Sequence, residues 1–454
     1  MKDFSENLPN TEKKTRTLPA NCPVWFDGRN IREDRFCEDF LRDFPMKSVN
    51  GTFFTVDGRV DDEERLRKEI YDRIKPYVIS GLSKKVSALL EVLRLQCYHP
   101  DFPNHTDRIH PANGTFFIPS PDMEWFTPEK EYCRNRLPVD YNPDAPEPVI
   151  WKRFLGELLY EEDILTLQEF MGYCLLPTTR GQKMLLMIGR GGEGKSRIGV
   201  ILRTLLGNNM NVGSIQKVET NRFARADLEY RLLLLDDDMQ MEALPSTTYL
   251  KSIVTAEQPM DLEKKGKQSY QGELYARFIG LGNGSLHALY DRSEGFFRRQ
   301  ILLRTKDKAP DRNDDPFLAE KMNQEAEGIL LWAIEGLRRL MRNRFHFTVS
   351  ERAQENLTES VREGNNIVEF LDSAGYIRFR EGAAVSSREL YAVYKGWCDD
   401  NTVTPLAART FGGYLKDNLG RYGLRYDTNI PIGNGKRARG FRGIECARLG
   451  RFED

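Results

Sequence analysis

Residues 183–207 read KMLLMIGRGGEGKSRIGVILRTLLG, and this stretch limits the middle of the chain to a strand, a tight turn and a helix. The apolar run Met184 to Ile188 has the length of a buried strand and stops at Gly189. Beyond the turn, Ile198, Ile201, Leu202 and Leu205 recur at helical spacing on one face. The turn, GRGGEGKS at 189–196, fits G-x-x-x-x-G-K-[ST]. Chemistry explains this spelling. A polyphosphate holds several negative charges in a small volume, and backbone N–H groups reach it only where side chains are absent. Gly189 opens the loop, and Gly191, Gly192 and Gly194 keep it bare. The following helix points its positive end at the phosphates. Lys195 can reach the β- and γ-phosphates, and the Ser196 hydroxyl can complete a Mg²⁺ shell. The expected ligands are therefore ATP and Mg²⁺.

A chain of 454 residues has room for about two to four domains. Its net charge of −1 rules out a general polycation, so any nucleic-acid contact must come from local basic patches. No apolar run approaches the ~20 residues of a membrane span, and no membrane partner is expected. The N-terminus lacks the apolar core of a signal peptide, and residues 1–25 read as a disordered tail. Seven scattered cysteines without a C-x-x-C pair indicate free thiols in a reducing cytoplasm. Cys97, His99, His105 and His110 are zinc-binding residue types, but their spacing fits no common finger.

Residues 26–145 read as an N-terminal α+β domain. GTFFTVDGR, from Gly51, is a hairpin, and 61–97 hold two amphipathic helices. Residues 146–345 read as the nucleotide core with its helices, ending in one long helix over 315–345. Residues 346–366 read as a polar helical linker, and 367–454 as a separate unit.

Hydrolysis needs carboxylates on a neighbouring strand, one ordering Mg²⁺ and one polarising water. YRLLLLDDDMQ supplies a leucine strand ending in Asp236 and Asp237, with Asp236 the expected Mg²⁺ partner beside Ser196. Asp238 is also present and leaves the division of labour open. A second strand, ARFIGLGNGS, ends at Asn283, a side chain able to orient the water or sense hydrolysis. Arg298 and Arg299 precede a third apolar strand and can reach into a neighbouring subunit's site as an arginine finger, or lie on the surface as a helix-capping pair. DLEKKGKQSYQGE reads as a hairpin with a basic tip, Lys264, Lys265 and Lys267, suited to a phosphate backbone or to a solvated loop.

In this order the elements resemble a superfamily 3 helicase of the AAA+ type, most closely the helicase half of the poxvirus-type and phage/plasmid primase–helicases. The resemblance rests on 189–196, RFARADLEYRLLLLDDD at 222–238, YLKSIVTAEQPMDLEKKGK at 249–267, FIGLGN at 278–283 and GFFRRQILLRT at 295–305, with NGTFF, LPVDYNPDAP and LQEFMGYCLLP upstream. It implies ATP and Mg²⁺ at Lys195 and Ser196, acids at Asp236 and Asp237, a sensor at Asn283 and a finger at Arg298 or Arg299. It further implies a DNA-gripping hairpin at Lys265 and Lys267, and a hexameric ring moving on single-stranded DNA. One departure is Asp237, where the family often has Glu. Residues before 146 show no metal–carboxylate set of the primase kind, since DGRVDDEE at 57–64 reads as a turn and helix start. No primase activity is expected, and a separate primase or loader becomes a candidate partner.

The last unit has helices, then two strand-like pieces around IPIGNGKRARGFRGI, an order suggesting a winged helix, which the resemblance also implies. Between Val403 and Phe452 lie ten Lys and Arg against three Asp and Glu. Arg409 and Lys416 on the candidate recognition helix, and Lys436, Arg437 and Arg439 on the wing, can contact phosphates. The expected fold is α/β: an AAA+-like P-loop core, a mainly helical N-terminal domain and a C-terminal winged helix. The expected function is an ATP-dependent replicative DNA helicase of a phage, plasmid or mobile element, in the cytoplasm of a bacterial host, acting on single-stranded and forked DNA. The alternative is an ATP-switched initiator that binds and melts an origin without processive unwinding.

Overall fold

The computed structural model describes residues 22–239, 244, 246–256, 258–266, 268–284, 294–309, 314–363, 366–432 and 436–447. The chain divides into two compact units.

The first unit comprises Met1–His105, His110–Phe116 and Phe126–Arg136. Its helices are Glu33–Asp43, Glu63–Ile74 and Leu82–Gln96, and its small antiparallel sheet runs Lys47–Val49, Thr52–Thr55, Gly58–Arg59. The DGRVDDEE segment holds a turn residue, Asp57, the short strand Gly58–Arg59 and a helix start, where the Asp62 carboxylate accepts from Glu64 N at 3.0 Å and Arg65 N at 3.3 Å. Leu66, Ile70 and Ile74 pack with Leu89, Leu90 and Leu93, the apolar stripes that predicted both helices.

The second unit carries a five-stranded sheet: β1 (Met184–Ile188), β2 (Met210–Val212), β3 (Leu233–Met239), β4 (Arg277–Gly282) and β5 (Gln300–Arg304). Its spatial order is β5-β1-β4-β3-β2, with every pair parallel. β1 and β4 are buried at every residue, which is why β1, and β4 after Arg277, read as apolar runs. The helix Ser196–Leu206 returns over the sheet from the end of β1.

A helical layer holds Val149–Leu158, Glu161–Tyr173 and Ala326–Arg342. The backbones of the last two meet closely. A Cβ at Gly172 would lie 2.3 Å from Ala333 O, and one at Gly336 would lie 2.3 Å from Gln168 O. The long helix expected over 315–345 is two helices, Leu318–Asn323 and Ala326–Arg342. At the break, the Glu325 carboxylate caps another helix, accepting from Ile150 N at 3.0 Å and Trp151 N at 2.9 Å. Arg277, on β4, is 2% exposed and donates to Tyr173 O and Tyr275 O at 2.7 Å each, tying the sheet to this layer.

Residues 346–363 are helical from Glu351 and anchored to the layer and the sheet. Phe347 packs on Phe170 and Tyr173, Thr348 N donates to Glu169 at 2.7 Å, and Arg304 pairs with Glu359 at 2.9 Å. The C-terminal module runs helix Asn366–Asp372, strand Ile377–Ser386, helices Ser387–Asp400 and Ala408–Asp417, and strands Arg425–Pro431 and Arg437–Cys446. Its sheet places the last strand between the other two. The strand Ile377–Ser386 escaped the sequence reading because six of its ten residues are exposed and its apolar signal is sparse.

Gly172→Ala and Gly336→Ala should each destabilise the chain by about 1–3 kcal/mol, because a methyl must force the two helices apart. Denaturant unfolding of the full chain measures this.

Candidate functional site

Parallel strands leave a crevice beyond their carboxyl ends, and here β1, β3 and β4 open onto a cavity of about 440 Å³. The loop after β1 forms its floor. Gly191, Gly192 and Gly194 have φ of 108°, 82° and 104°, a backbone region that side-chain-bearing residues avoid. The spelling of the turn is thus required by its conformation. Lys195 and Ser196 begin the helix and line the cavity, as does Asn283 just past the end of β4. Gly189 lies beneath the loop: a Cβ there would sit 2.1 Å from Thr305 Oγ1.

The acids differ from expectation by one residue. Asp236 is 5% exposed and does not line the cavity. Its Oδ2 accepts from Ile215 N at 2.8 Å, holding the start of helix Ile215–Thr220. Burial pushes the Asp236 carboxyl up from the ordinary aspartate value, with Asp238 and Asp237 adding repulsion and the Ile215 and Asp238 amides opposing. The residues facing the cavity are Asp237 and Asp238, both exposed. The cause is a bulge: Gly280 pairs with Asp236 and Gly282 with Met239, so two aspartates of β3 oppose the single Leu281 of β4. Alternation would turn the two aspartates to opposite faces, whereas the bulge presents both to one crevice.

Two further acids, Asp314 and Asp315, line the cavity, as does Arg197. They follow β5 in sequence and carry no motif that could have announced them. Asp315 pairs with Lys321 at 2.6 Å, and this bond together with the Phe317 amide holds its carboxyl below the usual range. Glu193, inside the loop, bonds Lys195 Nζ at 2.8 Å and Gly191 N at 2.7 Å.

Arg298 and Arg299 lie elsewhere. Gln300 of β5 pairs with Met184, the first residue of β1, whereas the loop follows Ile188, the last. Both arginines therefore sit at the amino end of the sheet, about 13 Å of strand away from the cavity. Arg298 is exposed, and its carbonyl accepts from Lys183. Burial, and then Arg298, hold the Lys183 ammonium below its ordinary value. Arg299 donates to Gly295 O.

The lysine hairpin exists as Met260–Leu262 and Tyr270–Gly272, with Gly266 at φ 73° in its turn. Lys264 is removed from the tip: it pairs with Glu229, which is 6% exposed and also accepts from Tyr270 OH at 2.8 Å. Lys265 is exposed in the turn, and Lys267 falls outside the described residues. In the C-terminal module Arg409 and Lys416 are exposed on one helix, seven residues apart and so on one face. Lys416 Nζ stands 4.0 Å from the Tyr426 ring centre. Lys436, Arg437 and Arg439 are exposed at the start of the last strand.

Three segments match known family models. Residues 30–159 match a D5 N-terminal-like family, 187–299 a family of unknown function (DUF5906), and 362–428 a poxvirus D5 protein-like family. The chain carries D5-like segments at both ends. Such segments suggest a replication protein of the primase–helicase type, and with it DNA binding. Among solved structures, two apo structures of the C-terminal region of NrS-1 resemble it. One is 11% identical over 90% of this chain and 99% of that one; the other is 12% identical over 90% and 98%. Both have a TM-score of 0.51, a likeness of fold alone. Among the described residues no helix is long and apolar enough to cross a membrane.

Asp236→Ala should cost about 1–3 kcal/mol by stranding the Ile215 N–H, whereas Asp237→Ala and Asp238→Ala should stay within about 0.5 kcal/mol of wild type. The raised Asp236 carboxyl means that the folded state holds its proton more tightly than the unfolded chain does. Its contribution to stability therefore falls as pH rises past the ordinary aspartate range, and Asp236→Asn should remove that component. Melting curves of wild type and the four variants across acid pH read both effects.

Proposed function

We propose that the chain is an ATP-dependent replicative DNA helicase of the superfamily 3, AAA+ type, acting as a ring of identical subunits on single-stranded DNA. The observation that carries this reading is the position of the Arg298–Arg299 pair relative to the loop. One chain holds a phosphate-binding cavity at one end of its sheet and an exposed arginine at the other. A finger therefore cannot come from the same chain, and a ring supplies it from the next subunit. The strand order, with β4 between β1 and β3, and the D5-like segments support the same reading.

In this mechanism the amides around Gly191, Gly192 and Gly194 and the Lys195 ammonium grip the β- and γ-phosphates of ATP. Ser196 and one of the Asp237–Asp238 pair would hold Mg²⁺, which offsets phosphate charge and orients the γ-phosphoryl group. The other aspartate and Asn283 orient the attacking water. Arg298 of one subunit stabilises charge developing in its neighbour's site. Lys265 lies on the hairpin that grips the strand. The C-terminal module, with the helix and strand order of a winged helix, contacts duplex DNA through Arg409, Lys416, Lys436, Arg437 and Arg439.

Lys195→Ala should lower ATP turnover about a hundredfold or more, and Arg298→Ala by about a thousandfold. Mixing the two inactive proteins should restore part of the activity, because mixed rings contain some interfaces with both residues intact. Single-stranded DNA should stimulate the wild-type ATPase, and a forked duplex should be unwound. A monomer with DNA-independent ATPase would rule out the ring. ATP-driven melting of an origin without unwinding of a fork would favour the initiator.

Replacing Lys436, Arg437 and Arg439 together with alanine should weaken duplex binding. It should also reduce the slope of log affinity against log salt by about 2 to 3. Fluorescence anisotropy over a salt series measures both, and an unchanged slope removes the wing from the interface.

A further inference from the structure

Glu193 is the acidic residue of the GRGGEGKS turn, and its side chain is 2% exposed. Its Oε1 accepts from Gly191 N at 2.7 Å, and its Oε2 accepts from Lys195 Nζ at 2.8 Å. A loop amide and the lysine ammonium are the donors that a phosphate-binding loop offers its ligand. Here one carboxylate, a small anion with two acceptor oxygens, engages both. Gly189 leaves the space for it: a Cβ at 189 would stand 3.0 Å from Oε1. Burial works to raise the Glu193 carboxyl, but Lys195, its own amide and the Gly191 amide together hold it below the ordinary glutamate value. It stays ionised at neutral pH, so protonation does not clear the site.

We propose that Glu193 is an internal competitor of the nucleotide: its carboxylate occupies the phosphate donors of the loop, and a triphosphate binds by displacing it from Lys195. This deepens the reading of the cavity as an ATP site and rests on it. Two consequences follow from the geometry. Nucleotide affinity is the difference between two anions competing for one ammonium, and is weaker than an unoccupied loop would give. Binding also requires the Glu193 side chain to leave a buried position, so the loop changes shape on binding.

Glu193→Gln separates competitor from scaffold. The glutamine carbonyl oxygen can still accept from Gly191 N, while its amide group has no acceptor for Lys195. Isothermal titration of the full chain with MgATP should show about tenfold tighter binding by E193Q than by wild type. Magnesium pyrophosphate should show the same gain, because the competition is for phosphate donors. Should E193Q melt lower than wild type, Glu193→Asp carries the comparison, since its shorter side chain cannot span both donors. Wild type binding MgATP with neither variant binding tighter would overturn the proposal alone. No MgATP binding by wild type, by E193Q or by Glu193→Asp would overturn the nucleotide reading and the proposal with it.

Discussion

The two parallel ladders that flank Met184–Ile188 set the rest of the molecule. β1 is hydrogen-bonded to β4 on one side and β5 on the other, and all five of its residues are buried. A strand paired on both edges cannot shift register without breaking both ladders at once. The loop that leaves it is therefore held in place, with the ends of β3 and β4 beside it. The lysine, the hydroxyl, two aspartates and an asparagine meet in one cavity because three strands end at one level. The same ladders carry Arg298 and Arg299 to the far end, since a parallel partner of β1 must begin where β1 begins.

Charge is placed sparingly inside this frame. Asp236 is buried against an amide and holds a helix. Arg277 is buried against four carbonyl groups and ties sheet to helical layer. Glu193 is buried against Lys195. Each removes a charge from water, and each is compensated by hydrogen bonds rather than left alone. The first two arrangements serve the scaffold. The third lies inside the loop that follows β1, where the carboxylate engages Lys195 and the Gly191 amide.

Legibility in the sequence followed the range of the interactions concerned. The loop was readable because all its parts lie within eight consecutive residues, and the local backbone demands glycine at 191, 192 and 194. The N-terminal helices were readable from stripes such as Leu66, Ile70 and Ile74. The acid pair was placed one residue early, because a bulge is a property of two strands together and leaves no trace in Asp236-Asp237-Asp238 itself. Lys264 looked like a tip residue because its partner, Glu229, lies 35 residues away. The single helix expected over 315–345 is broken where Glu325 turns to cap a helix that begins at Val149.

By itself, the sequence determined that a strand, a bare loop and a helix follow one another at 184–206, that leucines lead into a run of acids, and that the last unit is locally basic. These are consequences of local periodicity, backbone sterics and composition, which neighbouring residues express without help from the rest of the chain. Only the tertiary structure decided which aspartates face the cavity, that Asp314 and Asp315 join its lining, that Arg298 and Arg299 stand away from it, and that Glu193 lies on Lys195. Strand order and register decide these matters, together with the burial of one side chain against another. They depend on pairings between segments far apart along the chain, whose partners no local pattern names.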